Sequence, residues 1–151
     1  MTDPNTQRVA LVTGGAIRVG RAITLALAEA DYDVVISYHS SEVAAQETRE
    51  AVEVRGGRCE TVCADLSLPA SADVVIDAVR TAFGRLDLLV NSAANFDERA
   101  LLDVDAEAWD TVMALNARAP HLLVRAASDL LRAARGSVVK AKPMPSRFLA
   151  A

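Results

Sequence analysis

The sequence predicts an α/β fold: a doubly wound parallel sheet with helices on both faces. Three observations predict it. Short apolar runs alternate with longer amphipathic stretches in the order βαβαβαβαβ. The runs are apolar throughout rather than at every second residue, the pattern of strands buried on both faces. The connections are short and marked by Gly and Pro, so each strand reaches the next through a helix. The 151 residues suit one domain, and a chain that is 52% hydrophobic can bury a core.

Each element has its own signal. "RVALVTG" is an apolar run ending in glycine, a buried strand. From Val19, apolar residues recur at Ile23, Leu27 and Ala30, which is helical spacing. "DVVISY" is the second strand. Ser41 to Arg55 is polar and rich in Ala and Glu, with Val43 and Val52 expected to face inward, and it stops at Gly56-Gly57. "RCETVCAD" is the third strand. Its cysteines, Cys59 and Cys63, are expected as small buried residues on one strand face, and no histidine lies near to complete a metal site. Pro69 opens a helix through "ADVVIDAVRTAF" that ends at Gly84. "LDLLVN" is the fourth strand. Asp105 or a neighbour caps a helix through "AWDTVMALN". There Asp103, Asp105 and Glu107 read as charges at the helix amino end, and Trp109 and Met113 as core. Leu122, Ala126 and Leu130 form one i, i+4 row, and Leu123, Ala127 and Leu131 the next, a wide buried face. "GSVV" begins a fifth strand.

The formal net charge of −4 argues against a nucleic-acid-binding surface. The opening "MTDPNTQR" is polar, and no apolar run is long enough to span a bilayer. The expectation is a cytoplasmic protein whose partner is a small molecule, with no membrane, nucleic acid or metal involved.

The stretch "TGGAIRVG", Thr13 to Gly20, leaves the first strand and enters the first helix. A helix amino end offers unpaired N–H groups and a positive dipole, and glycines let a pyrophosphate come close. No Gly-Lys-Ser/Thr follows, so it is not a Walker loop. An NAD-binding unit of this type places an acid near the end of its second strand, roughly 20 residues past the turn, to hold the ribose 2′-hydroxyl. Here that place reads Tyr38-His39-Ser40-Ser41, without a carboxylate. Hydroxyls and an imidazole accept a 2′-phosphate that an acid would repel. Arg18, in the middle of the turn, supplies a fixed positive charge. The two oddities together read as an NADP clamp. Asn116 has a separate physical argument. Pro120, four residues on, has no N–H, so the Asn116 carbonyl loses its i+4 partner and can hold a water.

These residues resemble the short-chain dehydrogenases/reductases. Thr13, Gly14 and Gly20 fit that family's Thr-Gly-x-x-x-Gly-x-Gly turn. Ala64 to Ser67 ("ADLS") is similar to the segment whose aspartate touches the adenine. "LVNSAAN" resembles the family's Asn-Asn-Ala-Gly segment, with Ser92 in place of its second Asn. "WDTVMALNARAP" resembles the helix that bears the family's asparagine. The resemblance runs from about Arg8 to Val139 and implies a Rossmann-type sheet of about five strands, in the order 3-2-1-4-5. It implies NADP(H) as cofactor, with Thr13, Gly14, Arg18, Val19, Gly20, Tyr38, His39, Ser40, Ser41, Asp65, Leu66, Asn91 and Ala93 as its contacts. It also implies that the Asn116 carbonyl holds a water in the proton relay.

Arginine in the turn and Tyr-His-x-Ser after the second strand are similar to the pteridine reductases, where both bind the 2′-phosphate. Phe96 then matches a phenylalanine that stacks on the pterin ring. The family's proton donor is a tyrosine in Tyr-x-x-x-Lys, which follows the fifth strand and a serine. The only tyrosines here are Tyr32 and Tyr38, and the only lysines are Lys140 and Lys142. Residues 1–139 therefore read as an NADP-binding unit. Residues 140–151, "KAKPMPSRFLAA", read as a tail foreign to the family, in which Ser146 is not a credible catalytic serine. A frameshift or a misplaced coding end is the expectation, with the fifth strand left as an exposed edge. A homo-oligomer is expected only of a complete protein. Four readings stay open: a pterin or carbonyl reductase, a 3-oxoacyl-thioester reductase of the same family, a non-catalytic NADP-binding fragment, and a non-functional pseudogene fragment.

Overall fold

The computed structural model describes residues 7–141. The stretch from Lys142 onward, Ser146 included, lies outside the described residues. The strands are β1 (Arg8–Thr13), β2 (Tyr32–Tyr38), β3 (Cys59–Cys63), β4 (Leu88–Asn91) and β5 (Ser137–Lys140). All pair in parallel, in the order β3-β2-β1-β4-β5, as the sequence predicts. The helices are α1 (Arg18–Glu29), α2 (Glu42–Glu53), α3 (Ser71–Ala82), α4 (Ala106–Met113), α5 (Ala119–Ala126) and α6 (Ser128–Ala134). The expected helix after Pro69 begins at Ser71, beyond a turn in which the Ser71 amide donates to Leu68 O.

The unbroken apolar runs follow from a core on each side of the sheet. Successive strand residues point to opposite faces. Leu11, Val35 and Leu89 join one buried cluster with Val75, Ile76 and Leu123. Val12, Val34, Ile36 and Val90 join the other with Ala28, Ala45 and Val52. The chain builds outward from β1 to β3, then returns to place β4 on the other side of β1. The reversal opens a crevice at the carboxyl ends of β1 and β4.

Several side chains depart from the sequence expectation. The buried row of α1 is Gly20, Thr24 and Ala28, one step from the expected row. Val19 is exposed, Ile23 and Leu27 are half-buried, and Ala30 is exposed. The helix lies so close to the sheet turn that a Cβ on Gly20 would stand 1.9 Å from Gly14 O. Only small residues fit that line, and the larger ones flank it. Val43 is 75% exposed, because α2 buries Ala45, Thr48 and Val52 instead. Cys59 is buried, but Cys63 is exposed. Burial fades along β3, an edge strand, toward its carboxyl end. Trp109 is 59% exposed and Met113 39%, because no residue of α4 is buried. Asp105 does cap that helix, accepting the Ala108 amide at 2.8 Å.

The two expected rows after Pro120 do form a core face. Leu123, Ala127, Leu130 and Leu131 are buried, and Leu122 and Ala126 pack half-buried against them. Between α4 and α5 the backbone makes a π turn over Ala114–Arg118, in which the Ala119 amide donates to Ala114 O. Pro120 then sits in the first turn of α5. All four residues of β5 are exposed, and among the described residues it pairs with β4 alone.

Candidate functional site

The turn after β1 is held from three sides. Thr13 is buried, and its Oγ1 accepts the amides of Ser92 and Ala93, both at 3.0 Å. This ties the end of β1 to the loop after β4. Gly14 has φ +62°, and its amide donates to Ser37 Oγ at 3.4 Å. The Gly15 amide donates to Ser37 O at 3.2 Å, and a Cβ on Gly15 would meet Ile36 Cγ2 at 2.6 Å. The Thr24 hydroxyl donates to Gly20 O at 2.9 Å and locks the first turn of α1. The amino end of α1 has no side-chain cap and no acid in its first turn. Its N–H groups and dipole are therefore available to an anion.

Arg18 is exposed and has φ +50°, a left-handed conformation unusual for a side chain with a Cβ. Among the described residues no hydrogen bond or ion pair engages its guanidinium. It lines one cleft of about 320 Å³ together with Tyr38, His39, Ser40 and Ser41. Desolvation, aided by the charges of Glu42 and Cys63, pushes the Tyr38 phenol up, so at neutral pH it stays a hydrogen-bond donor. The Cys63 thiol donates to His39 O at 3.4 Å.

Asp65 and Leu66 line the same cleft. The Ser67 hydroxyl, at 2.6 Å, and the Ser67 amide, at 2.9 Å, both donate to Asp65 Oδ1. These bonds hold the carboxyl below its ordinary range. Leu66 is 7% exposed and anchors this turn in the core. On the other side, Ala93 and Phe96 line the cleft, and Phe96 is 46% exposed.

Of the residues singled out in the sequence, all but Thr13, Asn91 and Asn116 line this one cleft. Those three stand behind it. Asn91, at the end of β4, is 2% exposed, and its Oδ1 has no partner among the described residues. Asn116 lies in the π turn. Its Oδ1 accepts the Asn95 amide at 3.0 Å and its Nδ2 donates to Asn95 O at 2.8 Å. The asparagine thus fastens the loop after β4. The cleft also takes in Ile17, Ser37, Ser92 and Leu115, which sequence reading did not assign to it. Ser37 was findable, because it sits opposite Thr13 in the β1–β2 register. Ser92 was visible only as a departure from a motif. Leu115 carried no signal beyond adjacency to Asn116.

This geometry can be set against known proteins. A profile of the family described as short chain dehydrogenase matches residues 8–146. A 3-oxoacyl-[acyl-carrier-protein] reductase of Synechocystis sp. is 34% identical over 126 residues, covering 83% of this chain and 51% of the relative. A metagenomic short-chain oxidoreductase crystallised with NADP shares the fold at a TM-score of 0.84, with 28% identity, over 95% of this chain and 65% of that one. A short-chain dehydrogenase from Burkholderia cenocepacia J2315, also in complex with NADP, is 34% identical at a TM-score of 0.79, over 85% of this chain and 52% of that one. The chain spans about half the length of the curated relatives it matches. A sheet order, a turn sequence and a family profile that agree over nearly all the described residues have one reading: this chain belongs to the short-chain dehydrogenase/reductase family.

Proposed function

We propose that the protein is an NADPH-dependent oxidoreductase, with residues 1–139 as its cofactor-binding unit. The observation that carries this reading is the Arg18 guanidinium, without a partner among the described residues, beside a β2 end that bears hydroxyls and an imidazole but no carboxylate. A 2′-phosphate would find a fixed positive charge and several donors there. The NADP named in the two crystal structures above agrees with it.

The residues fit such a group. The uncapped amino end of α1, packed so closely on the turn that Gly20 admits no Cβ, suits a pyrophosphate. Gly14, Val19 and Gly20 would hold it, with Thr13 fixing the turn from behind. Arg18, Tyr38, His39, Ser40 and Ser41 would hold the 2′-phosphate, Asp65 and Leu66 the adenine, and Asn91 and Ala93 the nicotinamide side. When bound, the nicotinamide supplies a hydride to an electrophilic carbon such as a carbonyl or a pterin imine. Asn116 has two tasks in this reading. Its side chain keeps the loop after β4 in place. Its carbonyl, deprived of an i+4 donor by Pro120, is an acceptor for a water on the proton path.

Phe96 offers a flat apolar face at the cleft, which favours a planar substrate of the pterin type. A second reading, a 3-oxoacyl-thioester reductase, is favoured by the Synechocystis relative. The 151 residues hold no Tyr-x-x-x-Lys. Loss of general acid catalysis typically costs about 10²–10⁴-fold, so NADPH oxidation by this chain alone is expected to be close to background.

The test is a titration of the purified chain with NADPH and with NADH, followed by nicotinamide fluorescence. NADPH is expected to bind the tighter by tenfold or more, roughly the worth of one charge-assisted contact. Equal affinities would overturn the clamp. Turnover at an ordinary enzymatic rate would overturn the account of the missing acid.

A further inference from the structure

The π turn touches both walls of the cleft. On one side, Asn116 fastens the loop after β4 through both backbone groups of Asn95. On the other, Arg118 Nη2 donates to Ser67 O at 2.6 Å, across 51 residues of sequence. Ser67 is the residue whose hydroxyl and amide fix Asp65. Leu115, in the same turn, lines the cleft itself. A π turn adds a residue to a helix and re-aims the side chains on it. Here it turns Asn116 and Arg118 toward different walls. Arg118 is exposed, with no carboxylate paired to it among the described residues, so this bond has no salt bridge to serve.

We infer that Arg118 is a positioning residue for the cofactor. It holds the Asp65–Ser67 wall of the cleft at a set distance from the loop after β4, through the Ser67 carbonyl. It touches no cofactor itself, since it does not line the cleft. The inference rests on the reading of the cleft as an NADPH site. It adds that the width of the site is set by a residue outside it.

The experiment is a double-mutant cycle on NADPH affinity, with Arg118→Ala, Asp65→Ala, the double variant and Arg118→Lys. Affinities are read by fluorescence titration, and melting curves confirm that each variant is folded at the working temperature. Arg118→Ala is expected to weaken NADPH binding by about tenfold, the scale of one hydrogen bond from a charged donor. Arg118→Lys, which keeps the charge and a donor, should stay within about threefold of the parent. In the Asp65→Ala background, Arg118→Ala should cost less than about twofold, because the wall it positions has already lost its contact. A merely structural arginine would lower the melting point and leave affinity alone. Unchanged affinity in Arg118→Ala, or fold-changes that multiply independently, would overturn the inference while leaving the site reading intact. A parent chain that does not bind NADPH would overturn both.

Discussion

Arg18→Gly moves two quantities in opposite senses, and the structure sets the size of each. Arg18 has φ +50°. For a residue with a Cβ that conformation costs roughly 1–2 kcal/mol, which glycine avoids. Glycine has more freedom to lose on folding, worth about 0.5–1 kcal/mol. The balance favours the variant by about 0.5–1 kcal/mol. In a domain of this length that is a rise in Tm of roughly 1–4 °C. Binding moves the other way. Removing a charged donor from a phosphate costs about 1.5–3 kcal/mol, so NADPH should bind roughly ten- to a hundredfold more weakly, with NADH almost unchanged. Arg18→Ala separates the two effects, since it loses the guanidinium but keeps the strained φ. It should lose the NADPH preference and gain no stability. Scanning calorimetry and titration with both cofactors read the outcome. A lower Tm in Arg18→Gly with the NADPH preference intact would refute the reasoning, because the residue would then be structural and unstrained.

Two further outcomes follow from charge and burial. Burial alone would raise the Asp87 carboxyl, but hydrogen bonds from Arg85 and from the Val9 amide outweigh it and hold the group below its ordinary range. A depressed folded pKa means that its stabilisation is full above the unfolded value of about 3.9 and is lost as pH falls through the folded value. Asp87→Asn should therefore cost about 1–2 kcal/mol at pH 7 and much less at pH 3, measured by urea unfolding; an equal loss at both would contradict the assignment. Burial pushes the Cys59 thiol up to about 12, whereas Cys63 is exposed. One equivalent of a thiol reagent should react quickly with the native chain, at Cys63, and the second only on unfolding. Two fast equivalents would show that Cys59 is not shielded.

The fold was legible because β1, β2 and β4 each face two cores. Leu11 and Val12, adjacent in sequence, sit in different clusters, so the run has no polar alternation. Helix faces were less legible. Periodicity says that a helix has an apolar side, not which row lies nearest the sheet. In α1 the distance at Gly20 decides it, and that distance depends on the turn after β1, not on the helix. Trp109 and Met113 have core-like chemistry and spacing, yet α4 stands off the sheet. The site divides in the same way. Glycines and Arg18 announce themselves in one short stretch. Thr13 bonded to Ser92 and Ala93, and Arg118 bonded to Ser67, join residues far apart in sequence, and local pattern cannot pair them. Pro120 drew attention to the Asn116 backbone, but not to the side chain, whose bonds to Asn95 join residues far apart in sequence.

The backbone separates Arg18 from every other unusual residue described. Among the described residues, three non-glycine residues have positive φ: Arg18, Asp31 and Arg135. Asp31 follows the end of α1, and Arg135 ends α6. A left-handed residue there closes a helix and satisfies its last carbonyls, so the cost has a local return. Arg18 stands at the opposite end of a helix, where no such closure is needed. Nothing in the turn asks for a Cβ or a charge at this position, and glycine would serve the backbone better. Strain that local structure does not require points to a role for the side chain. The guanidinium has no partner within the described residues, and the end of β2 across the cleft has no acid to compete for it. The 2′-phosphate proposed above is the partner that this reading gives it.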